Sequence, residues 1–207
     1  MGKYRGVVFE YIVKLLSPVG RTLSPSFPQE NLAMTDHSEK KITASDFHLH
    51  KRHLPHWQIG GRAYFVTFRS AIGELPTKAL EIAKYHVLFD HARRYELLFG
   101  VVMTDHIHIL FRPLQKEDGS WYDLPQIMRG IKGTSGKRIN SLLGRSGKVW
   151  QEEYFDRMIR DETELLEKWE YIWNNLLKKG LADSFEEYPF YIRPEEKDVI
   201  ISSRTDS

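Results

Sequence analysis

The chain has 207 residues, enough for one domain or one domain with a tail, and 41% of them are hydrophobic, an ordinary fraction for a globular protein. Thirty basic side chains against 28 acidic ones leave a net charge of +2, so a nucleic-acid partner must be argued from local clusters, not from the whole-chain balance. Cysteine is absent, which excludes disulfides, thiolate metal sites and cysteine nucleophiles. No run of about 18 apolar residues offers a membrane-spanning helix.

Residues 7–16 are apolar but interrupted by Glu10 and Lys14, which argues against a secretory signal core. Met34 opens a polar run that looks like an ordinary start, so residues 1–33 read as a dispensable leader or an upstream start codon. Residues 17–47 mix Ser, Pro, Asp and Lys without periodicity and read as linker. The expected organisation is a leader and linker over 1–50, a folded domain over 51–193 and a charged, frayed tail over 194–207.

Within the folded part, the aromatic and β-branched run 63–68 predicts a strand. Pro76 and Thr77 open a stretch to Arg94 with apolar residues at helical spacing. Residues 97–103 predict a buried strand, and Thr104-Asp105 a tight connection to an antiparallel partner over 107–111. A polar loop over 114–122 follows. Residues 124–143 read as a helix despite Gly130, Gly133 and Gly136, and residues 150–159 as a fourth strand. The acidic run 161–164 starts a last helix with an apolar stripe from Leu165 to Leu177, closed by Gly180. The order β-α-β-β-α-β-α predicts an α+β domain, a ferredoxin- or RRM-like antiparallel sheet with helices packed on it.

His106 and His108 then lie on a central strand, both pointing to one face, with Ile107 and Ile109 on the opposite, core face. On the last helix, Tyr171 and Asn175 are four residues apart and share one surface. Two neutral imidazoles can chelate one divalent ion, and the Asn175 amide oxygen can add a third donor. With oxygen ligands filling the shell, Mg²⁺ or Mn²⁺ fits, and its work would be to polarise a scissile phosphate beside the tyrosine hydroxyl. The residues leave a plainer reading open: a metal-free histidine pair hydrogen-bonded to Asp105 or Asp156, with Tyr171 a packing residue.

From Leu124 through Gln151 there is no Asp or Glu, whereas Arg129, Lys132, Lys137, Arg138, Arg145 and Lys148 are all present. Such a cluster neutralises phosphates and releases counterions, and Gly130, Gly133, Gly136 and Gly147 permit close backbone approach. Lys51, Arg52 and His53 form a second basic group.

The run Met103-Thr104-Asp105-His106-Ile107-His108-Ile109-Leu110 resembles the M-P-N-H-hydrophobic-H-L-L run of the single-tyrosine HUH transposases, nearest to the REP-associated tyrosine transposases of bacteria. The similarity extends through residues 63–67, 149–157 and 171–181, the last block reading Y-I-x-x-N-P-V-K-A-G-L in the family. The resemblance implies nicking of single-stranded or hairpin DNA by a tyrosine hydroxyl, giving a 5′-phosphotyrosine link and a free 3′-OH. By position, His106 and His108 fall on the metal pair, Tyr171 on the nucleophile and Asn175 on the residue completing the metal site. Thr104, Asp105 and Leu176 depart from the family's Pro, Asn and Pro. The resemblance further implies a bacterial cytoplasmic protein, on the nucleoid when DNA-bound, acting as a homodimer with the tyrosine in trans or as a monomer. Two other functions stay open: a non-catalytic DNA-binding protein derived from such a transposase, and a hydrolase in which water attacks.

Overall fold

The structure is a computed structural model, and it describes residues 47–50, 56–182, 187–194 and 196–197. Of the expected leader and linker over 1–50, residues 1–46 lie outside the described residues, as does the basic group Lys51, Arg52 and His53, while residues 47–50 form a strand where linker was expected. Strands β1 (Phe47–His50) and β2 (His56–Ile59) pair antiparallel as a two-stranded ribbon. There follow β3 (Tyr64–Arg69), α1 (Thr77–Phe89), β4 (Tyr95–Val102), β5 (His106–Pro113), α2 (Leu124–Leu142), β6 (Phe155–Met158), α3 (Glu162–Lys178) and β7 (Tyr191–Ile192). The five-stranded sheet has the order β6-β3-β5-β4-β7 and is antiparallel throughout, so the α+β expectation holds and the histidine strand is central.

Side-chain alternation divides the sheet into two faces. Tyr64, Val66 and Phe68 of β3 and Ile107, Ile109 and Phe111 of β5 enter one core with α1 and α2, to which α1 brings Ala79, Ala83 and Val87 and α2 brings Ile127, Ile131 and Ile139. The opposite face carries Phe65, Thr67, His106 and His108, and α3 lies over it. An irregularity in β4 between Leu97 and Phe99 inserts one residue and switches the strand's parity. Leu97 therefore faces the main core, while Val101 stands beside His108 on the other face. Across the main-core face β7 crowds β4 at Gly100, where a Cβ would lie 3.1 Å from both Ile109 Cγ2 and Ile192 Cδ1.

Local chemistry sets the helix ends. Asp123 caps α2 by accepting from the Gln126 amide at 3.0 Å, and Asp161 caps α3 by accepting from the Glu164 amide at 2.8 Å. Gly180, at φ 61°, turns the chain out of α3 in the left-handed conformation that disfavours other residues. Five elements differ from expectation. The first helix stops at Phe89 instead of Arg94, because the chain turns at Asp90 and takes a positive φ at Ala92. The fourth strand is only Phe155–Met158; Trp150 makes a single bridge to Ser70. The β1–β2 ribbon and β7 were not expected. Of the segment read as a tail, Glu196 ion-pairs with Lys84 at 2.7 Å.

Candidate metal and nucleophile site

His106 and His108 are both buried, and each ring is held through Nδ1. His106 Nδ1 meets Asp105 Oδ1 at 2.8 Å, and His108 Nδ1 meets Thr67 Oγ1 at 2.7 Å. These partners orient the rings so that the two Nε2 atoms converge to 3.0 Å. Burial pushes both imidazoles down, His108 to about 3, with the Arg69 and Lys179 charges acting in the same direction. Asp105 pulls the other way but does not prevail. Both rings are thus neutral at pH 7, the form that ligates a metal. Burial would raise the Asp105 carboxyl, but hydrogen bonds from Lys179 and His106 outweigh it and hold it at about 2.

Adjacent ligands of one octahedral ion, with bonds of about 2.1 Å, stand about 3 Å apart, close to the separation seen here. The donor set therefore fits a divalent cation. Among the described residues no group of three or more His, Cys, Asp or Glu could hold a metal. An amide, a phosphate or water would have to fill the remaining positions.

Tyr171 reaches this pair from α3. Its ring centroid is 5.8 Å from that of His108 and 6.5 Å from Phe65, while Phe65 stacks on His108 at 5.5 Å. Tyr171 is 52% exposed, so its ring borders solvent as well as the histidines. Asn175, one turn later, is half-buried. Both ends of α3 are tied to the sheet. Near its start Glu164 accepts from the Arg157 and Arg160 guanidiniums, and just past its end Lys179 Nζ meets Asp105 Oδ1 at 2.7 Å. Those anchors are 15 residues apart (Glu164 to Lys179), roughly four turns, and Tyr171 lies between them.

Of the six expected DNA-binding cations, Arg129, Lys132, Lys137 and Lys148 line one groove of about 970 Å³ between α2 and residues 147–154. Gly133, Gly136 and Gly147 form part of its wall. Its charge is mixed: Glu152 and Glu153 also line it, and Lys148 pairs with Glu152 at 2.7 Å. Arg138 lies apart, over the Tyr85 ring of α1, and Arg145 is half-buried in the turn after α2. The groove joins the histidine site through the end of β3, since the Gln151 amide donates to Arg69 O and Arg69 is the register partner of His106. Asp156, a candidate histidine partner, instead pairs with Val66 on the other face of the sheet.

Sequence reasoning did not single out Thr67, Phe65, Arg69 or Lys179. The alternation of β3 carries a signal for the first three, which share one face at 65, 67 and 69, but only the β3–β5 register shows that this face is the histidines' own.

Residues 78–175 match the family described as "Transposase IS200 like". A Haemophilus influenzae protein provisionally named a REP-associated tyrosine transposase is 22% identical over 101 residues, which cover 46% of this chain and 57% of that protein. The chain thus spans little more than half the length of this relative. Among solved structures, a REP-associated tyrosine transposase bound to a REP hairpin shares the fold, with a TM-score of 0.53 and 22% identity over 68% of this chain and 82% of that one. On these matches residues 78–175 of this chain are similar to the IS200-like transposase family, and the chain resembles the REP-associated tyrosine transposases in sequence and shares their fold.

Proposed function

We propose that the chain is a metal-dependent DNA transposase or nicking enzyme that cuts and rejoins single-stranded or hairpin DNA through a 5′-phosphotyrosine link. The observation that carries this reading is the meeting of Tyr171 with the histidine pair: rings 5.8 Å apart, with two Nε2 atoms converging at 3.0 Å alongside. The Tyr171 hydroxyl attacks phosphorus; the new P–O bond forms as the bond to the 3′ oxygen breaks. The phenol proton leaves, and the 3′ oxygen takes one up. Reversal by a 3′-OH rejoins the strand with no nucleotide cofactor, because the bond energy is kept in the ester.

A phenol is a weak nucleophile, so attack needs positive charge at the phosphate. A bound Mg²⁺ or Mn²⁺ supplies that charge when held by His106, His108 and Asn175. Asp105 and Thr67 orient the imidazoles, and Phe65 packs against both His108 and Tyr171. Arg69 adds a fixed cation beside His106. Arg129, Lys132, Lys137 and Lys148 hold the phosphate backbone away from the cut. The solved relative bound to a REP hairpin supports hairpin DNA as the ligand class.

The test uses labelled DNA hairpins with single-stranded flanks, Mg²⁺ or Mn²⁺, and a denaturing gel. A DNA–protein adduct absent from Tyr171→Phe is expected. Cleavage with no adduct would instead make the protein a hydrolase, and binding with no cleavage would make it a non-catalytic DNA-binding protein.

A further inference from the structure

The face that carries the histidines extends beyond α3 to the sheet edge. There, on β6, Phe155 is 57% exposed, more than any other large hydrophobic residue among those described. Register fixes where it stands. Phe155 is opposite Thr67, and Thr67 is opposite His108, so the three form one row across the same face. With strands about 4.8 Å apart, Phe155 begins two strands from the imidazole. α3 rests on the neighbouring row, with Lys168 over the Phe65 ring at 6.0 Å and Glu164 bonded to Arg157. It leaves Phe155 bare.

Two arginines share that face of the sheet. Arg69 is a diagonal neighbour on the same face, with its side chain 60% exposed and its guanidinium only 3.9 Å from Asp105. Arg157 follows Phe155 by two residues on β6 and faces the same way. A bare aromatic on an edge strand also invites a second copy to pair there. β6, however, is four residues long and carries Asp156 and Arg157, the short charged edge that resists such pairing. With Arg157 held by Glu164, the exposed ring and the exposed Arg69 on one face match an unpaired nucleotide: a planar base for the ring, a phosphate for the arginine.

We infer that Phe155 and Arg69 form a subsite for one unpaired DNA nucleotide next to the scissile phosphate, Phe155 stacking on its base and Arg69 holding its phosphate. The inference rests on the DNA-cleaving reading and assigns which part of the substrate the sheet edge grips. Stacking on a single ring is worth about a tenfold change in affinity. That is the scale to look for.

The experiment uses the full chain carrying Tyr171→Phe, so that binding is read without cleavage. The probes are DNA hairpins whose single-stranded flanks hold one 2-aminopurine, moved position by position. One flank position should lose fluorescence on binding. Adding Phe155→Ala should abolish that quenching and weaken binding about tenfold, and Phe155→Trp should restore both. Arg69→Ala should lower the slope of log affinity against log salt by about one. Quenching and affinity untouched by Phe155→Ala would overturn the subsite. So would a DNA-free dimer, seen by sedimentation, that Phe155→Ala dissociates. Failure of the parent protein to bind any hairpin would overturn the DNA-cleaving reading, and the subsite with it.

Discussion

Proton bookkeeping at the histidines ties two neighbours to the proposed metal site. Asp105, ionised down to about 2, can only accept, so the His106 Nδ1 carries a proton and its Nε2 a lone pair. A hydrogen bond across the 3.0 Å contact then requires His108 Nε2 to donate and His108 Nδ1 to accept from the Thr67 hydroxyl. Ligation by both Nε2 atoms needs the other His108 tautomer, with Nδ1–H donating to Thr67 Oγ1. Thr67 can serve either tautomer because a hydroxyl both donates and accepts. Thr67→Val should therefore weaken Mn²⁺ binding by roughly 10- to 100-fold, and Thr67→Ser should leave it nearly unchanged; calorimetric titration measures both. Equal affinity in the valine variant would show that the bond does not orient the ring.

The helix that brings Tyr171 is held by charge as well as by its buried stripe of Leu165, Ile172 and Leu176. Burial alone would raise the Glu164 carboxyl, but Arg157 and Arg160 outweigh it and hold it at about 2, against an ordinary 4.5. As pH falls, the unfolded chain takes up that proton first. The stabilisation is complete above about 4.5 and disappears as pH drops toward about 2. Glu164→Gln should lower stability at pH 7 by about 2 kcal/mol and flatten the acid limb of the melting temperature in that window. Thermal melts from pH 2 to 7 read both effects. At this scale much was legible. β5 alternates His-Ile-His-Ile with a period of two, and α3 has capping acids, a stripe and a closing glycine. The two-residue β7 and the shift in β4 left no local pattern, because contacts with distant strands create them. The fourth strand was overdrawn because Trp150 and Tyr154 are aromatic and buried like strand residues, yet they line the α2 groove.

Across the whole molecule, the candidate site gathers residues 65–69, 105–108 and 171–179, whose spacing in the chain carries no hint of their meeting. Order and flanking motifs pointed to it through resemblance; periodicity supplied only which face each residue takes. The basic window was visible as a lack of acid, but the presence of Glu152 and Glu153 in its groove was not, since folding sets Glu152 beside Lys148 and its backbone carbonyl on Lys132. Arg129 and Lys137 are exposed in that groove, so replacing both with Ala should cut the salt slope of hairpin binding by about two while leaving Mn²⁺ affinity unchanged. A fall in Mn²⁺ affinity would mean that groove and metal site are not separable. The most direct check on the central claim is fluorine NMR of protein labelled with 3-fluorotyrosine at its ten tyrosines, titrated with paramagnetic Mn²⁺. Convergence predicts that the Tyr171 resonance, assigned by its loss in Tyr171→Phe, broadens strongly, and that His106→Ala/His108→Ala abolishes the broadening. A Tyr171 signal that stays sharp, or broadens equally without the histidines, would contradict a shared site.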